Sequence, residues 1–523
     1  MKSEREFKRT FSESAYYDAY KTIRNKIRKY DPDALIDSCF NYLREPVREQ
    51  LEYVKRHPWL VLLLVKWTLL DDEALTRARR PPNRSEFISL VNQVLAIEDR
   101  VRLPTEFESL TLFFRAIAYQ QFLYQRRASP IVVGRQILYF AALQDDHYIA
   151  HTFASLTGMK LRPFLLLSQA LVLAFAEPDN RRFIDASWFS TLGKSFSLGD
   201  IEKFLSLFAT SRSDIRESLR ALDVAIRKSG AQPRNASEYF EQTPFLDWPL
   251  MRRFKVYECV DIHLLDACVG HFIYRRLKEH DAGRFMAHFG PIFEDYVRKA
   301  IVHMNLPFRE EKEIAASTGK KEKPSVIDFV VYDGNSRIFI DAKAVEMHYR
   351  GKVTHSMAEL SKNLDSSLLK AIKQANSTMQ VLADLDAAQG IERAPQGESD
   401  FLVVVTESEL YISNGMDLAS AVGQETLNQI LPTDPTKPAI QLDHMHFLTI
   451  YEFERLAAAV NSNQLGFAEA LTRAREENLY PETRRMVYDQ HLSDWGVRKI
   501  APNYVIQETT VNLNKLANML RGV

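Results

Sequence analysis

A chain of 523 residues, 46% hydrophobic and 26% charged, has the composition of a water-soluble globular protein and is long enough for roughly two to four cores. Its 68 Lys and Arg balance 68 Asp and Glu, so no net charge draws it to nucleic acid, and any such surface has to be a local patch. Three scattered cysteines (Cys39, Cys259 and Cys268) exclude a disulfide framework and a zinc site, and they predict a reducing, cytoplasmic setting.

The first residues, MKSEREFKRTFSES, are charged and lack the apolar stretch of a secretory signal. From about residue 10 to 225 apolar residues recur at threes and fours, as in Leu110, Leu112, Phe113, Ile117, Phe122 and Leu123, which predicts helices. Turn signals at 79–83, 127–130 and 177–180 punctuate them, without a repeat of fixed length. The apolar runs 59–65 and 164–176 fall short of the roughly 20 residues a membrane span needs, so they read as core helices and no membrane partner is expected. The polar stretch 228–244, with two prolines, marks a boundary. Residues 1–235 are therefore expected to be an all-α region that senses, regulates or binds a partner, and 236–284 a helical connector.

After Pro291 helical runs alternate with short apolar strands at 326–332, 337–343, 401–406 and 446–451. This predicts an α/β domain over 285–490 and a tail over 491–523. The run FLVVV, with no polar alternation, suits a central strand covered on both faces. Between the first two strands, DGNS (333–336) is a hairpin signal. A loop of Gly334–Asn335 sets Asp328 directly across from Asp341; a loop of Asp333–Gly334 makes them diagonal neighbours. Either way both aspartates and Lys343 share one face. Opposed side chains have Cβ atoms roughly 5 Å apart. Two carboxylates there repel by about 3 kcal/mol at an effective dielectric of about 20, so a cation is expected between them. Oxygen ligands of this kind suit Mg²⁺ or Mn²⁺.

The pattern of Asp328, twelve residues, then Asp341–Ala342–Lys343 on a hairpin resembles the PD-(D/E)xK nuclease superfamily, whose restriction-endonuclease-like fold has a mixed central sheet. The tripeptide alone carries nothing, since Glu6–Lys8 and Glu310–Lys312 match it as well. The likeness lies in the order of elements from about 290 to 406. A helix over 290–305, opened by Pro291, sets Glu294 beside its apolar stripe, where the family carries an extra metal ligand. A helix over 356–385 sets Gln374 where many members have a site-facing glutamine, with Lys370 one turn earlier. Ile327 stands where the family's nominal proline would be.

The resemblance implies Mg²⁺- or Mn²⁺-dependent phosphodiester hydrolysis, in DNA more than RNA, as in bacterial restriction or phage-defence effectors. Asp328, Asp341, Glu294 and the carbonyl of Ala342 would hold metal. Lys343 would act on the attacking water and on phosphate, and Gln374 would position them. Lys320, Lys321, Lys323, His348, Arg350, Lys352 and Lys370 are the candidate nucleic-acid contacts. A homodimer, or a partner protein on the helical half, is expected. The rival readings are RNA cleavage and a non-catalytic binding module. His444–Met445–His446 reads as the solvated start of a strand, and Asp145–Asp146–His147 with His151 as surface polarity. The arginine clusters at 77–84, 126–127 and 252–253 read as solvated faces.

Overall fold

The computed structural model describes residues 13–71, 79–100, 107–125, 131–176, 182–192, 195–228, 230, 232–317, 325–347, 349–388, 400–432, 439–498 and 501–521. Helices dominate these residues, and nine strands form two mixed sheets.

The smaller sheet has strands β1 (Phe183–Asp185), β2 (Ala209–Thr210), β3 (Leu250–Arg253) and β4 (Val256–Cys259), in the order β1-β4-β3-β2. The region 1–235 is therefore not all-α, and the connector holds a hairpin. Strands of two to four residues are too short to show a period of two, and this hid them in the sequence.

The larger sheet runs β5 (Phe308–Glu310), β6 (Phe329–Asp333), β7 (Ser336–Lys343), β8 (Asp400–Thr406) and β9 (Met445–Thr449) in sequential order. The first three strands are antiparallel, and β7, β8 and β9 are parallel. Phe329 pairs with Ile340 and Asp333 with Ser336, so the hairpin loop is Gly334–Asn335. Its positive φ of 59° falls on the glycine, which has no Cβ to oppose it.

Five helices matter to the site: α1 (Leu110–Gln121), α2 (Ile262–His280), α3 (Ala282–Met304), α4 (Lys370–Ala388) and α5 (Ile450–Asn461). Alternate residues of each central strand point to opposite faces, and each face joins a different core. Phe329, Val331, Ile338, Ile340, Val403 and Val405 join α3 and α5, together with Phe153, Phe164 and Phe204 of the N-terminal half. Val330, Phe339, Leu402 and Val404 join α4, together with Tyr16, Leu62 and Trp67. All seven residues of β8 are buried. Each such Val or Leu contributes about 1.5–3 kcal/mol relative to exposure, so a charged residue at Val404 would unseat the sheet.

Two helices differ from expectation. Pro291 lies inside α3, which starts at Ala282 and is capped by Asp281 accepting from Arg284 N at 3.0 Å. The proline leaves one carbonyl unpaired, but buried Phe285 and Phe289 before it and Phe293 and Val297 after it hold both segments to one core. The helix expected over 356–385 runs unbroken over 357–388, with a π-turn at Asp365–Leu369 between Met357–Leu364 and α4. Among the described residues no single helix is long and apolar enough to cross a membrane.

Candidate active site

Where β6 begins and β7 ends, the hairpin register brings two carboxyls and an amine together. Asp341 is fully buried and Asp328 partly so. Lys343, two residues beyond Asp341 on the same face, sets its Nζ 2.6 Å from Asp341 Oδ2. The backbone N–H of Ala342 donates to Asp328 Oδ2 at 2.7 Å. Burial and then the Asp341 charge push the Asp328 carboxyl far above the usual carboxylate range, and the two carboxyls stand within hydrogen-bonding reach. Like charges placed this close resist ionising together.

Helix α4 closes the same face. Gln374 Oε1 accepts from Lys343 Nζ at 3.1 Å, and its Nε2 donates to the carbonyl of Val326 at 3.0 Å. One turn on, Thr378 Oγ1 accepts from Ile327 N–H at 2.9 Å and donates to the Gln374 carbonyl at 2.8 Å. Isoleucine rather than proline at 327 keeps that N–H and so ties the start of β6 to α4. The sequence reading missed Thr378, whose only signal is its spacing of four from Gln374.

Glu294 is half-buried on α3, which packs on the opposite face of the sheet from α4. Its carboxyl is raised by burial first and then by Glu311, Asp341 and Glu310, so it belongs to the same electrostatic neighbourhood. Among the described residues no three His, Cys, Asp or Glu side chains stand as a metal-holding group. The two that converge still suit a hard divalent cation. Asp341 Oδ1 is buried without a hydrogen-bond partner, and the amine at Oδ2 is the charge a metal would supplement. Mg²⁺ is commonly held by one or two carboxylates, with water and phosphate oxygens filling the rest of its shell.

The expected nucleic-acid contacts divide. Lys320, Lys321, Lys323 and His348 lie outside the described residues, as does the side chain of Arg350. Lys352 faces inward, 3.5 Å from Glu346 and 5.7 Å from the centre of the Tyr119 ring. Lys370 is exposed at the start of α4. His444 and His446 are buried rather than solvated: His444 Nδ1 lies 3.0 Å from the Asp400 carbonyl, and His446 has no partner on either nitrogen. His147 caps the helix Tyr148–Thr157, and Asp145 pairs with Lys160 at 2.5 Å. Arg80 pairs with Glu86, and Arg84 with Glu45.

The segment after Lys343 is gripped by helices that precede the sheet in the chain. Tyr274 of α2 donates its hydroxyl to the Ala344 carbonyl at 3.0 Å, and Lys278 donates to the Glu346 carbonyl at 2.8 Å. Arg115 of α1, fully buried, donates to the Leu410 carbonyl at 2.9 Å and to Met347 Sδ at 3.0 Å. Beside this segment lies a cavity of about 2250 Å³ whose wall includes Ala342, Lys343, Glu407 and Thr449 at the carboxyl ends of β7, β8 and β9. Ligands of parallel sheets settle at such ends. Acidic and basic side chains both line it, so it is no cationic funnel.

Comparison with protein-family models, with curated proteins and with solved structures finds no match.

Proposed function

We propose that the chain is a divalent-metal-dependent nuclease of PD-(D/E)xK type, with a restriction-endonuclease-like domain built on the β5–β9 sheet and DNA as its substrate. What carries the reading is the convergence of Asp328, Asp341, Lys343 and Gln374 on one strand-end, where two carboxyls oppose each other at a cost that stability alone would not sustain.

In this reading Asp328 and Asp341, with the Ala342 carbonyl, would hold Mg²⁺ or Mn²⁺, with Glu294 as an outer partner. The ion supplies a bound water of lowered pKa and positive charge beside the phosphate. Lys343, held between Asp341 and Gln374, directs an N–H at the attacking water and stabilises charge that builds on the phosphate oxygens. Gln374 fixes the lysine's direction while its amide stays bound to Val326. Water adds to phosphorus and releases a proton to solvent, the bond to the leaving oxygen breaks, and that oxygen takes up a proton from solvent.

The test is cleavage of labelled single-stranded DNA, double-stranded DNA and RNA in Mg²⁺ or Mn²⁺, beside EDTA and the Asp341→Ala variant. Cleavage of DNA that both controls abolish is expected. Cleavage that survives Asp341→Ala, or none on any substrate, would overturn the reading, and cleavage of RNA alone would reassign the substrate.

A further inference from the structure

The hairpin of β3 and β4 ends in a two-residue loop, Phe254–Lys255, since Arg253 pairs with Val256. Phe254 is completely exposed, at 101% of its reference area, and its φ is +55°. Such a backbone favours glycine or asparagine, and a Cβ there is disfavoured. A fold that only needed to turn would use neither an aromatic ring nor a strained one at this point. Strain of this kind collects where a side chain has to be presented.

Behind the tip, guanidinium groups outnumber their acids. Arg253, Arg182 and Arg44 converge on Glu258 at 2.8, 2.7 and 3.1 Å. Asp37 takes Arg182 at 3.3 Å and Arg212 at 3.4 Å, and Arg253 as well, while Arg212 also pairs with Asp33. The Nε atoms of Arg212 and Arg253 are buried without a hydrogen-bond partner. Burial first, and then the charge of Arg253, lower the Arg212 pKa to about 10. Flanking the ring, Arg252 reaches Asp214 only at 3.7 Å, with both side chains about half exposed, and Lys255 is exposed. Phe183, partly exposed, sits across from Glu258 with Arg182 stacked 4.6 Å from its ring centre.

We propose that this hairpin is a second nucleic-acid contact, in which the Phe254 ring stacks on an unpaired base and the exposed Arg252 and Lys255 that flank it take the neighbouring phosphates. The choice of nucleic acid rests on the nuclease reading, and the contact itself rests on the loop. A flat ring beside a surplus of fork-shaped donors fits single strands and frayed junctions, because only an unpaired base offers its face. An apolar protein pocket would take the ring but would offer no anion to the exposed Arg252 and Lys255 that flank it.

The experiment uses the full chain in EDTA, so that cleavage cannot intervene. Its probes are a fluorescein-labelled single-stranded DNA, the matching duplex, and a strand carrying 2-aminopurine, whose fluorescence is quenched by stacking. Phe254→Gly relieves the backbone and so keeps the fold, with a melting temperature equal to or above wild type. It should weaken single-strand binding about five- to a hundredfold, from the range measured for base–aromatic stacking, and abolish the quench. Phe254→Trp should retain both. A Phe254→Gly variant that binds and quenches like wild type, or a wild-type protein that binds no oligonucleotide, would overturn the proposal. The two readings fail separately. Lost binding in Phe254→Gly with no cleavage by any form sinks the nuclease alone. Unchanged binding in Phe254→Gly, with cleavage abolished by Asp341→Ala, sinks the hairpin contact alone.

Discussion

Replacing Asp328 by asparagine should stabilise the metal-free protein and reverse that order when Mg²⁺ is added. The two carboxyls are within hydrogen-bonding reach, and like charges roughly 4 Å apart repel by about 4 kcal/mol at an effective dielectric of about 20. Proton uptake by Asp328 and the Lys343 amine beside Asp341 already relieve part of this, which leaves about 1–3 kcal/mol to be removed. Asparagine keeps an oxygen to accept from Ala342 N, so the strand junction survives. With metal present, wild type gains about 2.7 kcal/mol at a hundredfold excess over Kd, while the variant has lost one of its two carboxylates. Thermal or urea melts of both proteins, in EDTA and across a Mg²⁺ titration, should therefore cross. Asp328→Asn melting below wild type in EDTA, or a wild-type midpoint that ignores Mg²⁺, would refute the reasoning.

Lys343→Met leaves Asp341 buried without its cation, so the metal-free protein should lose about 3–5 kcal/mol, read by urea melts and partly restored by Mg²⁺. Its kcat should fall about a hundred- to a thousandfold with KM little changed, since the amine acts on charge that develops in the reaction. For His446, burial first and then His491, His444 and Arg475 hold the pKa down to about 3, against about 6.5 in an unfolded chain. With the folded pKa the lower one, its contribution is complete above about pH 6.5 and is lost as pH falls toward 3, by up to about 1.4 kcal/mol per pH unit. Denaturant melts between about pH 7 and about pH 4.5 should show this slope, and His446→Leu should flatten it. Arg115→Met exchanges a buried guanidinium, which has no carboxylate partner, for an apolar chain, so stability should change by less than about 1 kcal/mol. The released 347–351 segment should nonetheless lower kcat about tenfold, and a melting curve measured beside a rate assay separates the two effects.

The site was more legible in the sequence than the scaffold around it. A two-residue turn, a period of two and two misplaced aspartates were enough to put Asp328, Asp341 and Lys343 on one face, because strand register is local arithmetic. Gln374 came only from the resemblance to the nuclease superfamily, many members of which carry a site-facing glutamine on the helix after the hairpin. The π-turn at 365–369 left no trace, since Leu364 and Leu368 keep helical spacing across it. Pro291 was read as a helix start because the ring suits a first turn; burial of aromatic residues on both sides overrides that preference. The grip of Arg115, Tyr274 and Lys278 on residues 344–351 was invisible, because it joins positions far apart in the chain with no local pattern. His446 misled for a related reason. Its burial comes from Tyr488 and Phe401, on elements it meets only in the folded chain.

The two faces of the β5–β9 sheet bear on how the chain is made. Tyr16, Leu62 and Trp67 share a core with Val330 and Val404, partners that emerge from the ribosome roughly 300 residues later. At about 5–20 residues per second that is an interval of about 15–60 s during which the early helices lack the surface they are shaped to cover. Folding must wait for the hairpin that carries Asp328 and Asp341, so the helical half and the carboxylate pair mature together.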